Sequence, residues 1–343
     1  MESAFKVPIR NLFCMLSYMN DMPELAESLS DLDEDIITYD FIANQFLKEV
    51  DRINRRGMIK DYVVRGEETN RLGGRLLINE SLPLIMAKKP AVVCEKDEYS
   101  PNVKLNQVMK STLKSISMNR YVREETRRRS FMNLELLQEV ETRDISKGFL
   151  SKIYFGRHTH YYKRMIHIAK LLHELTLLSH KHGNWSLYTA ELDDKVMNQL
   201  FEKFLFHFYR IEQKEYRVYS ERMQWKLEGN RALLPSMQTD ISLLKRDCTE
   251  KIIIDAKFYK NVFQENYGKS SFQSHNLYQL FTYLMHQPKE MNVRGILIYP
   301  FNEVEVNESY RWSERVAMEV MTVDLGDSWK RIHLKLRSIL STS

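Results

Sequence analysis

The chain is poor in the residues that cross-link, bend or break a polypeptide. Of 343 residues, only 3 are cysteine, 11 glycine and 8 proline. Cys14, Cys94 and Cys248 lie far apart, odd in number and without a CxxC pair. That excludes a disulfide framework and a zinc knuckle and suits a reducing compartment. So little glycine and proline leaves no composition for long flexible linkers. No apolar run reaches the roughly 18 residues of a membrane span. The opening MESAFKVPIRNLF has no uninterrupted apolar stretch to act as a signal. A cytoplasmic chain with no membrane partner is expected. A nucleotide loop is missing too: Gly268-Lys269-Ser270 resembles the end of one, but its first glycine would stand at position 263, which is Phe.

What is present is an ordinary globular balance, 43% hydrophobic and 28% charged. The length allows two domains. A net charge of +5 and a pI near 8.8 tolerate a polyanionic partner. A protein built only to coat DNA would be more basic.

Apolar periodicity predicts helices over 11–19 and 40–54, the latter with Phe41, Ala43, Phe46, Leu47 and Val50 inward. Residues 55–95 change to strand-like runs with glycine turns at Gly73-Gly74, predicting a small β-barrel or curved sheet. Helix returns over 106–138 and 161–178. The run Arg127-Arg128-Arg129 fits a solvated helix face or a surface for DNA or an acidic partner. His158, His160 and His167 have no acid at matching spacing, so a metal site there is not supported. Beyond residue 190 the pattern is helix (191–213), strands (215–228, 237–245, 251–259), a polar loop (260–274), helix (275–286), strands (294–299, 319–324) and a last helix (327–340). The class is α/β, α+β overall, with one mixed sheet in the C-terminal part.

The segment MQTDISLLKRDCTEKIIIDAKFY carries the chemistry. Ile252-Ile253-Ile254 reads as a buried strand, yet Asp255 and Lys257 interrupt it. Charges there are costly unless paired or metal-bound. Strand alternation puts Asp255 and Lys257 on one face. A tight turn centred between Asp247 and Cys248 would place Asp240 directly opposite Asp255, with Cβ atoms about 4.5–5.5 Å apart. Two carboxylates that close repel unless a cation lies between them, and oxygen ligands suit Mg²⁺ or Mn²⁺. A one-residue slip would move one acid to the other face. The plain alternative is a surface salt bridge.

This arrangement resembles the PD-(D/E)xK nuclease core, with Asp240 as first acid and Asp255-Ala256-Lys257 as second element. It departs at residue 239, which is Thr where the family pattern has Pro. The resemblance implies that Asp240, Asp255 and the Ala256 carbonyl hold the metal and that Lys257 orients or deprotonates the attacking water. Glu202, in MNQLFEKFLFHFY, stands on the preceding helix where many members place a further acid; alone it reads equally as a solvated residue. Gln279 and Tyr283, at i and i+4 on one helix face, resemble the QxxxY element of the RecB-like branch. Lys260 and Lys269 in the polar loop could touch DNA phosphates, or be merely solvated.

A wider resemblance spans nearly the whole chain in order. VPIRNLFCMLSYM, NRRGMIKDYV, RLGGRLLI, CEKDEYSPNVKLNQVMKSTL, TDISL, IIIDAKFYK, SHNLYQLFTYL and GILIYP are similar to segments of the McrC family, the nuclease subunits of McrBC-type restriction systems. It implies an elongated domain over 1–165 that docks in the pore of a hexameric AAA+ GTPase, McrB, and a PD-(D/E)xK endonuclease domain over 166–343. It further implies double-stranded DNA, with modified cytosine, as substrate, stimulation of the partner's GTPase, and GTP bound by the partner rather than by this chain. The competing reading is a non-catalytic activator of the ring.

Overall fold

The computed structural model describes residues 7–30, 32, 38–120, 122–150, 152–182, 194–225, 227–230, 233–258, 262–266 and 269–341. In chain order these form α1 (Ile9–Met19), α2 (Pro23–Ser30), α3 (Tyr39–Arg56), β1 (Asp61–Thr69), β2 (Arg75–Leu76), α4 (Ile78–Met86), β3 (Val92–Ser100), α5 (Lys104–Met118), α6 (Glu124–Glu135), α7 (Lys147–Leu150) and α8 (Lys163–His182). There follow α9 (Asp194–Glu212), β4 (Tyr216–Tyr219), β5 (Arg222–Met223), β6 (Met237–Gln238), β7 (Ile241–Lys245), β8 (Glu250–Ala256), β9 (Phe263–Asn266) and β10 (Lys269–Phe272). The chain closes with α10 (Ser274–Met285), β11 (Asn292–Pro300), β12 (Asn307–Ser313), β13 (Val316–Val323) and α11 (Trp329–Ser338). No helix among the described residues is long and apolar enough to cross a membrane.

Contacts divide the chain into two compact units, Thr38–Leu177 on the one hand and 1–37 with 178–343 on the other. The first helix therefore groups with the C-terminal residues, whereas a single division near 165 would leave it with the N-terminal ones. Its reason is apolar: Phe13, Met15, Leu16 and Tyr18 are buried. Tyr18 meets Phe208 of α9 and Trp329 of α11 at ring-centroid distances of 5.3 and 5.7 Å.

In the unit Thr38–Leu177, α3 is capped by Thr38, whose Oγ1 accepts from Phe41 N–H at 3.2 Å, with Asp40 in the first turn and Arg55 and Arg56 in the last. The sheet is an antiparallel β1-β3-β2 arrangement of three strands. It does not close, so the barrel half of the expectation falls. Strand pairing stops at Leu76, and the apolar residues expected to continue it coil into α4 instead. The predicted helix over 106–138 is two, broken after Met118.

The larger unit is built on a six-stranded mixed sheet of order β12-β13-β11-β8-β7-β4. β11 runs parallel to β8 and β13, and the other pairs are antiparallel. Ile252, Ile253 and Ile254 are all fully buried; each contributes about 1.5–3 kcal/mol of transfer free energy. Ile253 packs with Leu280, Tyr283 and Leu284 of α10 in one cluster. Gly295 permits that close approach: a Cβ there would lie 2.9 Å from the δ-carbons of Leu284. β7 and β8 join through a turn in which Cys248 adopts φ 59° and is exposed. The polar stretch expected as a loop instead contains the hairpin β9-β10, and the edge strand β12 was not expected at all.

Candidate functional site

The β7–β8 ladder pairs Ile241 with Ile254, Ser242 with Ile253, Leu243 with Ile252 and Leu244 with Lys251. That is the register read from the sequence. One step further along it stand Asp240 and Asp255, close enough that the charge of Asp240 raises the Asp255 carboxyl. Asp240 also turns Oδ2 to the end of β8, accepting from Ala256 N–H at 3.1 Å.

Asp255 is completely buried. Lys257 Nζ lies 3.0 Å from Oδ2 as an ion pair, and no backbone N–H or neutral side-chain donor among the described residues reaches either oxygen. Burial pushes the Asp255 carboxyl well above the usual carboxylate range; Lys257 opposes this, and the charges of Asp240 and Glu202 add to it. Asp240 is raised for the same first reason, burial. Glu202 on α9 is raised by burial and then by the charge of Asp240. The third acid thus shares the field of the pair.

Lys257 is held from two sides. Its backbone N–H donates to Ile298 O at 3.0 Å, and its ammonium donates to Gln279 Oε1 at 3.2 Å. Gln279 Nε2 reaches Tyr283 Oη at 2.8 Å, and the Tyr283 hydroxyl donates to Gln238 O at 2.8 Å. The i, i+4 pair on α10 therefore ties Lys257 to the strand that leads into Asp240. Lys269 lies in β10, with its backbone opposite Asn266, and Lys260 lies outside the described residues.

Three features escaped the sequence reading. Asn198, one turn before Glu202 on α9, accepts from Phe258 N–H at 2.8 Å and fixes the chain just past Lys257. Thr239, standing where the nuclease pattern has proline, is buried. Its N–H donates to Glu221 O at 2.9 Å and its hydroxyl accepts from Glu221 N–H at 3.0 Å. These two bonds anchor the residue before Asp240. Lys251, buried on the same strand, meets Glu221 Oε2 at 2.5 Å and Gln287 Oε1 at 2.7 Å. Only the 198/202 spacing was visible as a shared helix face; the other two partnerships are remote in sequence.

The donor set fits a hard divalent cation. A buried carboxylate with one ion-pair partner, facing a second carboxylate, is short of positive charge beyond that of Lys257. Among the described residues no group of three or more His, Cys, Asp or Glu could hold a metal. Two carboxylates, a backbone carbonyl and water are what Mg²⁺ takes, whereas zinc prefers His and Cys.

The fold and site define an α/β protein whose mixed sheet presents a pair of facing acids, one of them fully buried, beside a lysine. The family model for the McrBC 5-methylcytosine restriction system component matches residues 5–300, and the chain belongs to that family. It is 28% identical over 344 residues to the type IV methyl-directed restriction enzyme EcoKMcrBC of Escherichia coli K12, covering 97% of each. Its fold resembles a chain in the half-complex from the tetradecameric assembly of Thermococcus gammatolerans McrB AAA+ hexamers with bound McrC. There the TM-score is 0.52 at 16% identity, over 96% of this chain and 76% of that one.

Proposed function

We propose that the chain is the magnesium-dependent endonuclease subunit of a GTP-driven restriction complex, with a PD-(D/E)xK active site made of Asp240, Asp255 and Lys257. The single observation that carries this reading is the facing pair: Asp255, buried with Lys257 as its ion-pair partner, one ladder step beyond Ile254 and opposite Asp240. Asp240, Asp255 and the Ala256 carbonyl would hold the ion. A bound Mg²⁺ supplies charge neutralisation at the phosphate and a water acidic enough to attack near neutral pH. Lys257 orients that water and offsets the charge gathering on the phosphate, and Gln279, itself held by Tyr283, keeps the ammonium in place. Glu202 adds negative charge beside Asp240. Lys260 and Lys269 would meet the DNA backbone.

The partner in this reading is an McrB-like AAA+ GTPase hexamer, which binds GTP and reads modified cytosine in double-stranded DNA. Family membership and the likeness to a chain from an McrB–McrC assembly support it. Docking in the ring, and stimulation of its GTPase, would fall to the compact unit Thr38–Leu177. The test is cleavage of modified duplex DNA by the chain with its partner ring, GTP and Mg²⁺. Asp255→Asn should lower cutting on the order of 10³-fold, the equivalent of about 4 kcal/mol, while leaving complex formation and GTP hydrolysis intact. Undiminished cutting by that variant would remove Asp255 from the site.

A further inference from the structure

A groove of about 750 Å³ opens between α5 and α6, in the unit that does not contain the facing acids. α5 lends it Lys110, Lys114, Ser117 and Met118; α6 lends it Glu124, Arg127, Arg128, Phe131 and Leu134. On each helix these positions recur at three- and four-residue spacing, so each presents one continuous stripe.

The way α6 is packed is inverted. Its buried residues are Thr126 and Ser130, bonded to Asn44 Nδ2 at 3.0 Å and to Leu113 O at 2.8 Å. Its apolar residues face out: Phe131 is 59% exposed, and Met118 across the groove is 75% exposed. Charge is lopsided as well, with four cations against the single acid Glu124. Lys110 is spoken for, donating to Leu137 O and Val140 O at 2.8 and 2.6 Å, and Arg129 on the opposite side of α6 is paired to Asp51 at 3.1 Å. Among the described residues, Arg127 and Arg128 have no such acid. Arg127 Nε is buried without a hydrogen-bond partner among the described residues.

We propose that this groove receives an acidic, amphipathic segment of a partner protein, its apolar side chains on Met118, Phe131 and Leu134 and its carboxylates on Lys114, Arg127 and Arg128. Exposed apolar side chains interleaved with cations fit a helix with leucines on one face and glutamates flanking them. A DNA backbone would use the cations and leave the apolar side chains uncovered. The inference stands independently of the nuclease assignment.

The test uses the full chain and a fluorescent 16-residue helical peptide of leucines on one face with glutamates flanking them. Controls are the same peptide with lysine for glutamate and an unlabelled 24-base-pair duplex as competitor. The glutamate peptide should bind at least tenfold tighter than the lysine peptide, and weaken as salt is raised. The double variant Lys114→Glu/Arg128→Glu should lose tenfold or more, and Phe131→Ala about fivefold, with unchanged melting temperatures because all three side chains are exposed. No binding, equal binding of both peptides, or indifference to the variants overturns the proposal. So does displacement by the duplex, which would make the groove a nucleic-acid surface instead.

Discussion

The two sheets of this molecule treat charge in opposite ways. In the three-stranded sheet, β3 carries Glu95, Lys96, Asp97 and Glu98 in one run, and Asp97 and Glu98 are exposed. Its ion pairs, such as Lys96–Glu67 at 3.3 Å, lie in solvent and contribute little. In the six-stranded sheet, β8 is buried from Lys251 to Ala256, and its charges are few and each placed against a named partner. Charge on a wet strand needs no explanation. Charge inside β8 is sustained only by a compensating structure, and at Asp255 that compensation is incomplete.

The strongest way to break this contrast is Asp255→Asn beside Asp97→Asn. The former should lower cutting on the order of 10³-fold, as proposed above, yet in metal-free buffer its melting temperature should equal or exceed that of the native chain. An amide brings N–H donors to a place where Asp240 offers an acceptor, and it removes a buried charge. Asp97→Asn should change neither measurement. A melting temperature several degrees lower for Asp255→Asn would mean that the acid is already satisfied without a metal.

Next in size are two glycines, one per sheet. Gly295→Ala drives a methyl to 2.9 Å from Leu284 and should cost about 1–3 kcal/mol in chemical denaturation, with a loss of activity as α10 lifts Gln279 and Tyr283. Gly66→Ala in β1 meets only ordinary contacts at 3.6 Å and beyond, and should lie within about 0.5 kcal/mol of neutral. Equal effects would erase the distinction.

Thr239→Val tests the anchor before Asp240. It strips an acceptor from the part-buried Glu221 N–H, costing about 1 kcal/mol, and should raise the magnesium concentration for half-maximal cutting; Thr239→Ser should restore it. If valine leaves the magnesium titration unchanged, Thr239 serves the fold alone.

The smallest effect belongs to an exposed acid. His207, 3.7 Å from the Asp21 carboxylate, together with the Arg210 guanidinium bonded to that carboxylate, holds its pKa down at about 2. A depressed folded value means the contribution is complete above the ordinary carboxylate pKa and fades as pH falls from about 4 toward 2. Asp21→Asn should therefore flatten stability across that acid window and leave it unaltered at higher pH, by an amount reduced by solvent screening.

The centre of the site was legible because a tight hairpin converts residue numbers directly into positions. Given the turn at Asp247 and Cys248, the partner of Asp255 followed. The helices of the larger unit were legible for a similar reason, their apolar stripes being buried. What escaped was built against local pattern. β12 reads NESYRWS and is exposed throughout, so no alternation marks it. α4 holds Pro83 and buries only Ser81, and its exposed leucine and isoleucines imitate a strand. Asn198 and Thr239 act by bonding backbone groups of residues far away in the chain, a relation that spacing does not encode.

The turn that brings the two aspartates together also leaves a chemical handle. Cys14 and Cys94 are buried, and burial pushes the Cys14 thiol up to about 12, whereas Cys248 stands in the open at the hairpin tip. A maleimide dye or spin label would therefore attach at one known point. That point lies roughly 23 Å along the strand from Asp255, at about 3.3 Å per residue, near enough for a reporter to register what enters the site without standing in its way.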